Sequence, residues 1–176
     1  MRHAADLASA LLKPVAIDRR GEIPVGKLPY FMAPPISWHA GLLGPGAGYQ
    51  RQYIDSAQAR LAGVPPLSAT QVEALDLFDA LLDDPTLHLS MRMQPGDIQF
   101  CYNHTMCHDR CGFTDHAELS QRRHLIRLWL SPPGDRPLPD CFAERFGSVT
   151  VGARGGILCP GTAFSVTLDS VAPIAQ

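Results

Sequence analysis

A chain of 176 residues is long enough to form one domain with a sizeable core. Its 15 basic and 17 acidic residues leave a net charge of −2, which excludes the broad cationic surface that nucleic acids or anionic membranes require and favours a small-molecule partner. No apolar run approaches the ~20 residues that span a bilayer, the N-terminus has no signal-like apolar core, and an odd number of cysteines argues against a disulfide framework. We therefore expect a cytoplasmic protein with reduced thiols.

The first half of the chain predicts short elements separated by turns. Residues 6–12 favour a helix of about two turns, which ends before Pro14 because the residue preceding a proline avoids the helical region. From residue 17 to residue 45, prolines and glycines recur every few residues, and strand-like pieces such as 28–32 lie between them. This part is predicted to be irregular β-structure.

The clearest predicted helix covers residues 69–83. Ser68 and Gln71 form a capping-box pattern at its start, and Pro85 follows its end. The helix carries an apolar stripe at the spacing of one helical face, which predicts core packing. The stripe consists of Val72, Leu75, Phe78, Leu81 and Leu82.

Three later segments, 87–93, 98–102 and 123–130, predict strands of one β-sandwich with the 69–83 helix packed outside it. Segment 123–130 carries large apolar side chains on both faces, so we expect it to be covered on both sides and to bury at least one arginine. A buried guanidinium needs an anion. That anion is either a protein carboxylate, such as Asp97 or Asp115, or the carboxylate of a ligand.

The stretch NHTMCHDR, residues 103–110, concentrates side chains that can bind metals. Spacing alone favours a loop histidine with ordinary partners for His108, and it also permits a structural zinc site, since thiolates and imidazoles suit tetrahedral zinc. The usual CxxC knuckle is absent, so the thiols are more simply explained as small buried apolar groups. The zinc alternative would use Cys101, His104, Cys107, His108 and Cys111.

The run GDIQFCYNHTMCHDRCGFTDHAELSQRRHLIRLWL resembles the C-terminal iron-site segment of the TauD/TfdA family of Fe(II)- and 2-oxoglutarate-dependent dioxygenases. IDRRGEIPVGKLPYF, YIDSAQARLAGVPPLSATQVEALDLFDAL, MRMQPGD and VGARGGI also resemble members, so the likeness covers nearly the whole chain. It implies a mainly β protein with flanking helices (α+β). The implied fold is a partial double-stranded β-helix of the jelly-roll, clavaminate synthase-like type.

The resemblance also implies roles for individual residues. His108 stands where the family has its distal iron-binding histidine. Arg123 stands where an arginine pairs with the far carboxylate of 2-oxoglutarate, and Arg127 where a second arginine reaches the same pocket or the substrate. Asn103 and Arg110 match the motif as supporting positions. We expect His108 and Arg123 to point into one cavity, where Fe(II) and 2-oxoglutarate would serve hydroxylation of a small organic substrate.

One departure from the family pattern limits this expectation. Such oxygenases bind iron through two histidines and one carboxylate, and the family's first two ligands form a His-x-Asp or His-x-Glu motif upstream of the distal histidine. The only match here, His116-Ala117-Glu118, follows His108 instead. We therefore predict that residues 1–176 are the C-terminal portion of such a domain, catalytically incomplete and prone to self-association. The alternative is a non-catalytic remnant or interaction module that keeps the fold.

Overall fold

A computed structural model describes residues 3–39, 42–45, 49–130 and 132–152, with the backbone alone for 42–45. The described residues contain four α-helices, two 3₁₀ turns and four short strands. The helices are α1 (Ala4–Leu11), α2 (Arg51–Arg60), α3 (Ala69–Leu82) and α4 (Ala143–Phe146), and the 3₁₀ turns are Leu119–Gln121 and Asp140–Phe142. The strands are β1 (Val15–Asp18), β2 (Tyr30–Ala33), β3 (Ile36–His39) and β4 (Leu42–Pro45).

The strands form two antiparallel hairpins, β1 with β2 and β3 with β4. In the first hairpin Val15 lies opposite Ala33, and Ile17 lies opposite Phe31. All four residues of β1 are buried, because α2 packs on this strand. The predicted strand 28–32 therefore exists, although it begins two residues later, at Tyr30.

One core joins the N-terminal half of the chain to the segment around Phe142. Helix α1 packs against α3, and α2 packs against β1. Leu75 of α3 and Ile54 of α2 are each 1 % exposed, and Phe142 is 2 % exposed. Burial of a side chain of this size contributes about 1.5–3 kcal/mol to the free energy of folding, so this cluster supplies much of the stability of the fold.

Helix α3 confirms the predicted helix and its cap. The Gln71 backbone N–H donates to Ser68 Oγ at 3.2 Å, and the Ser68 N–H donates to Gln71 Oε1 at 3.0 Å. The apolar stripe is buried only at its centre: Leu75 is in the core and Phe78 packs against it, whereas Val72 and Leu81 are exposed. The prediction that the whole stripe is core is wrong, because α3 meets its main neighbour, α1, along a narrow face.

An ionic cluster, called the Arg51 network here, joins α2 to α3. The Arg51 guanidinium contacts three carboxylates, one on its own helix and two on α3. Its partners are Asp55 at 2.9 Å, Asp76 at 2.7 Å and Asp79 at 3.0 Å. The Tyr49 hydroxyl also donates to Asp79 at 2.5 Å.

The three strands predicted after α3 are not strands in the structure. Segments 87–93, 98–102 and 123–130 carry no regular secondary structure, and Leu89, Phe100 and Ile126 are 90 %, 84 % and 83 % exposed. Alternating side chains favour an extended backbone, but a strand forms only where a neighbour completes the hydrogen-bond ladder, and no described segment pairs with these three. The predicted β-sandwich, and a mainly β composition, are therefore not confirmed.

No helix among the described residues combines the length and the apolar character needed to cross a membrane.

Candidate functional site

The segment 102–106 is a tight turn that begins the predicted motif. The backbone N–H groups of Thr105 and Met106 donate to the Tyr102 carbonyl at 3.0 and 3.2 Å, and the Thr105 hydroxyl donates to the same oxygen at 3.1 Å. Three donors on one carbonyl hold Asn103 and His104 at the apex of the turn. We call residues 102–106 the motif turn.

The motif turn is attached to a second loop by His104. The Arg136 guanidinium donates to the His104 carbonyl at 2.8 Å, and His104 Nε2 lies 3.7 Å from an Asp135 carboxylate oxygen. The ring of Tyr102 also meets the His104 ring edge to face, with centroids 5.8 Å apart. His104 thus joins two loops, a role in tertiary contact that the sequence did not indicate.

Asn103 has a buried polar atom. Its side-chain oxygen is inaccessible and receives no hydrogen bond from the residues that the structure describes. Buried acceptors are rarely left in this state, so the site lacks a donor here. Asn103 was predicted as a supporting position, and that role stays a prediction.

His108 and Arg110 lie on the exposed side of the motif. The His108 imidazole forms no hydrogen bond or ion pair with the described part of the chain, and Arg110 uses its backbone N–H to bind the Asp109 carboxylate at 2.7 Å. Burial raises the pKa of the neighbouring Cys107 thiol, which disfavours its thiolate form.

Arg123 and Arg127 are both exposed, which corrects the prediction that segment 123–130 buries an arginine. The segment has no covering layer in the described structure, so neither guanidinium is drawn into a core. The Arg123 guanidinium lies over the Phe113 ring, 4.9 Å from its centroid. Asp97 accepts from the Gln94 backbone N–H and is not the predicted counter-ion.

His108 and Arg123 line neither of two cavities that the described residues form. One, of about 30 Å³, lies between Arg19, Phe31 and Arg145, and an open one of about 460 Å³ lies beside Leu67. That His108 and Arg123 share a cavity stays a prediction.

A comparison with protein families decides the lineage of the chain. The model of the family described as "Taurine catabolism dioxygenase TauD, TfdA family" matches residues 13–129. The chain belongs to the TauD/TfdA family. The match confirms the resemblance seen in the sequence and contains the motif turn, His108, Arg123 and Arg127. The VGARGGI segment follows the matched region, and its residues 153–157 lie outside the described residues.

One relative in the TauD/TfdA family is FR-33289 synthase of Streptomyces rubellomurinus (strain ATCC 31215). It is 32 % identical over 152 residues, which cover 84 % of this chain and 43 % of the relative. The chain thus spans less than half the length of that enzyme. Membership of the family implies the double-stranded β-helix fold and dioxygenase chemistry of the iron and 2-oxoglutarate type.

The described residues do not by themselves provide the iron site of a TauD/TfdA enzyme. They contain no group of three or more His, Cys, Asp or Glu side chains placed to hold a metal ion, so neither an iron triad nor the alternative zinc site is assembled there. A facial triad needs two histidines and one carboxylate around one ion. That His108 is one of these ligands stays a prediction, and the described residues place no second histidine and carboxylate beside it.

The Asp135–Arg136 pair is the feature that sequence reasoning missed. No periodic pattern marks an arginine in the stretch PPGDRPLP, and the contact crosses 32 residues of sequence. Only the fold brings these two residues to the motif turn.

Proposed function

We propose that this chain supplies the C-terminal part of the active site of an Fe(II)- and 2-oxoglutarate-dependent dioxygenase acting on a small organic substrate in the cytoplasm. The family match over residues 13–129 carries the proposal, because it includes the positions of His108, Arg123 and Arg127 as well as the supporting positions Asn103 and Arg110. In such enzymes the iron and the keto acid together supply the oxidation of a substrate C–H bond, with loss of CO₂ from 2-oxoglutarate and formation of succinate.

His108 is proposed as an iron ligand. Its imidazole is exposed and makes no hydrogen bond with the described residues, so it does not have to break a contact there to bind a metal. Neutral imidazole is a common ligand of Fe(II), and the residues around it decide which nitrogen binds.

Arg123 and Arg127 are proposed to bind the carboxylates of 2-oxoglutarate. A guanidinium offers paired N–H donors that match a carboxylate, and neither arginine forms an ion pair with a carboxylate of the described chain. Segment 123–130 would have to become covered for these charge-assisted hydrogen bonds to gain strength from exclusion of water. Orienting the keto acid in this way is the contribution of the arginines to the reaction.

The two remaining iron ligands are proposed to lie in polypeptide outside these 176 residues. The His116-Ala117-Glu118 sequence is a poor substitute, because the Glu118 carboxylate is already used within its own turn. It accepts from the Ser120 hydroxyl at 3.0 Å and from the Gln121 amide at 3.3 Å. The His116 carbonyl accepts from the Arg122 guanidinium at 3.0 Å, which fixes the same turn.

A second candidate is a non-catalytic remnant or interaction module. The observation that favours it is the absence, among the described residues, of three metal-binding side chains in one place. The two proposals differ in whether His108 binds iron once the missing ligands are provided.

The test is an anaerobic titration with Fe(II) and 2-oxoglutarate, followed by a succinate assay in air. It uses the chain alone and the chain mixed with the part of FR-33289 synthase that lies outside the aligned region. We expect weak iron binding and no succinate from the chain alone, and a charge-transfer absorption from the mixture that His108→Ala removes and the control His88→Ala retains. Succinate formation by the chain alone that depends on His108 would contradict the incomplete site. No His108-dependent absorption in either sample would favour the non-catalytic alternative.

A further inference from the structure

Asp135 and Arg136 connect the motif turn to the folded core. Arg136 is 8 % exposed and the Asp135 side chain 7 % exposed, so both charged groups are buried at the surface of the core. Two residues later Leu138 enters the core, and Phe142 follows. The Arg136 contact with the His104 carbonyl is therefore a link between packed structure and the exposed region that follows α3.

The loop that carries the pair is itself constrained. The Asp135 N–H donates to the Pro132 carbonyl at 3.3 Å, and Gly134 adopts φ 84°, a conformation that side chains disfavour. The Asp135 carboxylate accepts from the Arg136 backbone N–H at 2.8 Å. Because the carboxylate and guanidinium come from adjacent residues of one turn, their positions relative to the core are set together.

We infer that Asp135 and Arg136 are positioning residues for the segment that carries His108. His108 follows His104 by four residues, a length that reaches at most ~13–14 Å even when fully extended. Anchoring the His104 carbonyl therefore keeps His108 within this distance of a fixed point, and the half-buried Cys107 between them restricts the segment further. This inference depends on the proposed function in one respect only, which is the identity of the group that His108 binds.

Arginine suits this role better than lysine. Its planar guanidinium carries its donors in fixed directions, so the N–H group that binds the His104 carbonyl is held in one orientation. A lysine at this position retains the charge and one donor but not the fixed geometry. Arg136→Lys should thus retain part of the protection of the motif turn that Arg136→Gln loses.

The experiment is hydrogen–deuterium exchange of the full chain without metal, read on the peptide that covers residues 102–109 and, for comparison, on a peptide from α3. Arg136→Gln should speed exchange of the first peptide by about tenfold or more, because the turn loses a charge-assisted anchor, while α3 exchange stays unchanged. The exchange rate of the 102–109 peptide in Arg136→Lys should lie between the rates in wild type and in Arg136→Gln. Arg92→Gln, at an exposed arginine, should match wild type.

A second measurement is the alkylation rate of Cys107 relative to the exposed Cys111, followed by mass spectrometry. Loosening the motif turn should expose the Cys107 thiol and raise this ratio in Arg136→Gln. Unchanged exchange at 102–109 together with an unchanged ratio would overturn the inference. An equal loss of protection in α3 would overturn it as well, since the pair would then support the whole fold and not the motif. Neither readout needs iron, so the inference and the proposed function fail separately.

Discussion

Replacing Asp18 by asparagine tests whether the buried carboxylate at the end of β1 holds α2 in place. The Asp18 side chain is 1 % exposed and accepts hydrogen bonds from the Ser56 hydroxyl at 2.5 Å and the Arg20 backbone N–H at 2.7 Å. Its carboxylate also forms an ion pair with Arg60, whose Nε lies 3.2 Å away. Asparagine has nearly the same shape but only one acceptor oxygen and no charge. We expect the free energy of unfolding to fall by about 2–3 kcal/mol at pH 7, at about 1 kcal/mol for each weakened bond.

The same interactions set the pH dependence of this effect. Burial acts to raise the pKa of Asp18, but the hydrogen bonds from Ser56 and Arg20 and the charge of Arg60 outweigh it and leave the pKa below its ordinary value. A carboxylate whose pKa is lowered by folding stabilises the fold above the unfolded pKa of about 3.9, and this contribution disappears as the pH falls through the lower folded pKa. The difference between wild type and Asp18→Asn should therefore shrink below pH 4.

The assay is urea unfolding followed by helical circular dichroism at several pH values between 3 and 7, with Asp115→Asn as the control at an exposed aspartate. A difference at pH 7 of less than about 0.5 kcal/mol would refute the reasoning, because it falls within the range of ordinary surface substitutions. A difference that stays constant between pH 7 and pH 3 would refute the electrostatic part.

Two further predictions concern the link between α2 and α3 and the uncovered apolar segments. Arg51→Gln should lower the free energy of unfolding by only about 1–2 kcal/mol, because the Arg51 network is partly exposed. This loss, measured by urea unfolding, should shrink in ~1 M salt, since salt screens exposed charges. A loss that salt does not change would contradict an ionic origin. The exposed apolar side chains of segments 87–102 and 123–130 should cause concentration-dependent association in light scattering, and the double change Ile126→Lys and Leu128→Lys should reduce it. A monomer at every soluble concentration, in wild type and variant alike, would contradict this prediction.

Helix α3 shows which features local sequence was sufficient to predict. Its capping box depends on residues three apart, and its helical period depends on residues three and four apart, so all the determining contacts lie within the helix itself. The sequence could not predict how much of the stripe is buried. That depends on the width of the contact with α1, which is distant in the sequence.

Segment 123–130 shows the opposite case. Its alternation predicts an extended backbone, but it carries no regular secondary structure, since the pairing partner of a strand must come from elsewhere in the fold. The burial of Arg123 or Arg127 was inferred from apolar residues on both faces. That inference assumed covering layers, and the described residues contain none over this segment.

The sequence by itself determined the TauD/TfdA lineage and the α3 helix with its cap, and it placed the predicted site residues His108, Arg123 and Arg127 inside the region that the family model matches. Each of these depends on residue identity and short spacing, which a linear chain carries directly. Only the tertiary structure decided that Phe142 joins the core of the N-terminal half, that Asp18 is buried under α2, and that Arg136 holds the motif turn across 32 residues. These contacts join residues distant in the sequence, and they form because packing brings apolar side chains together and leaves the buried charges beside them to be paired.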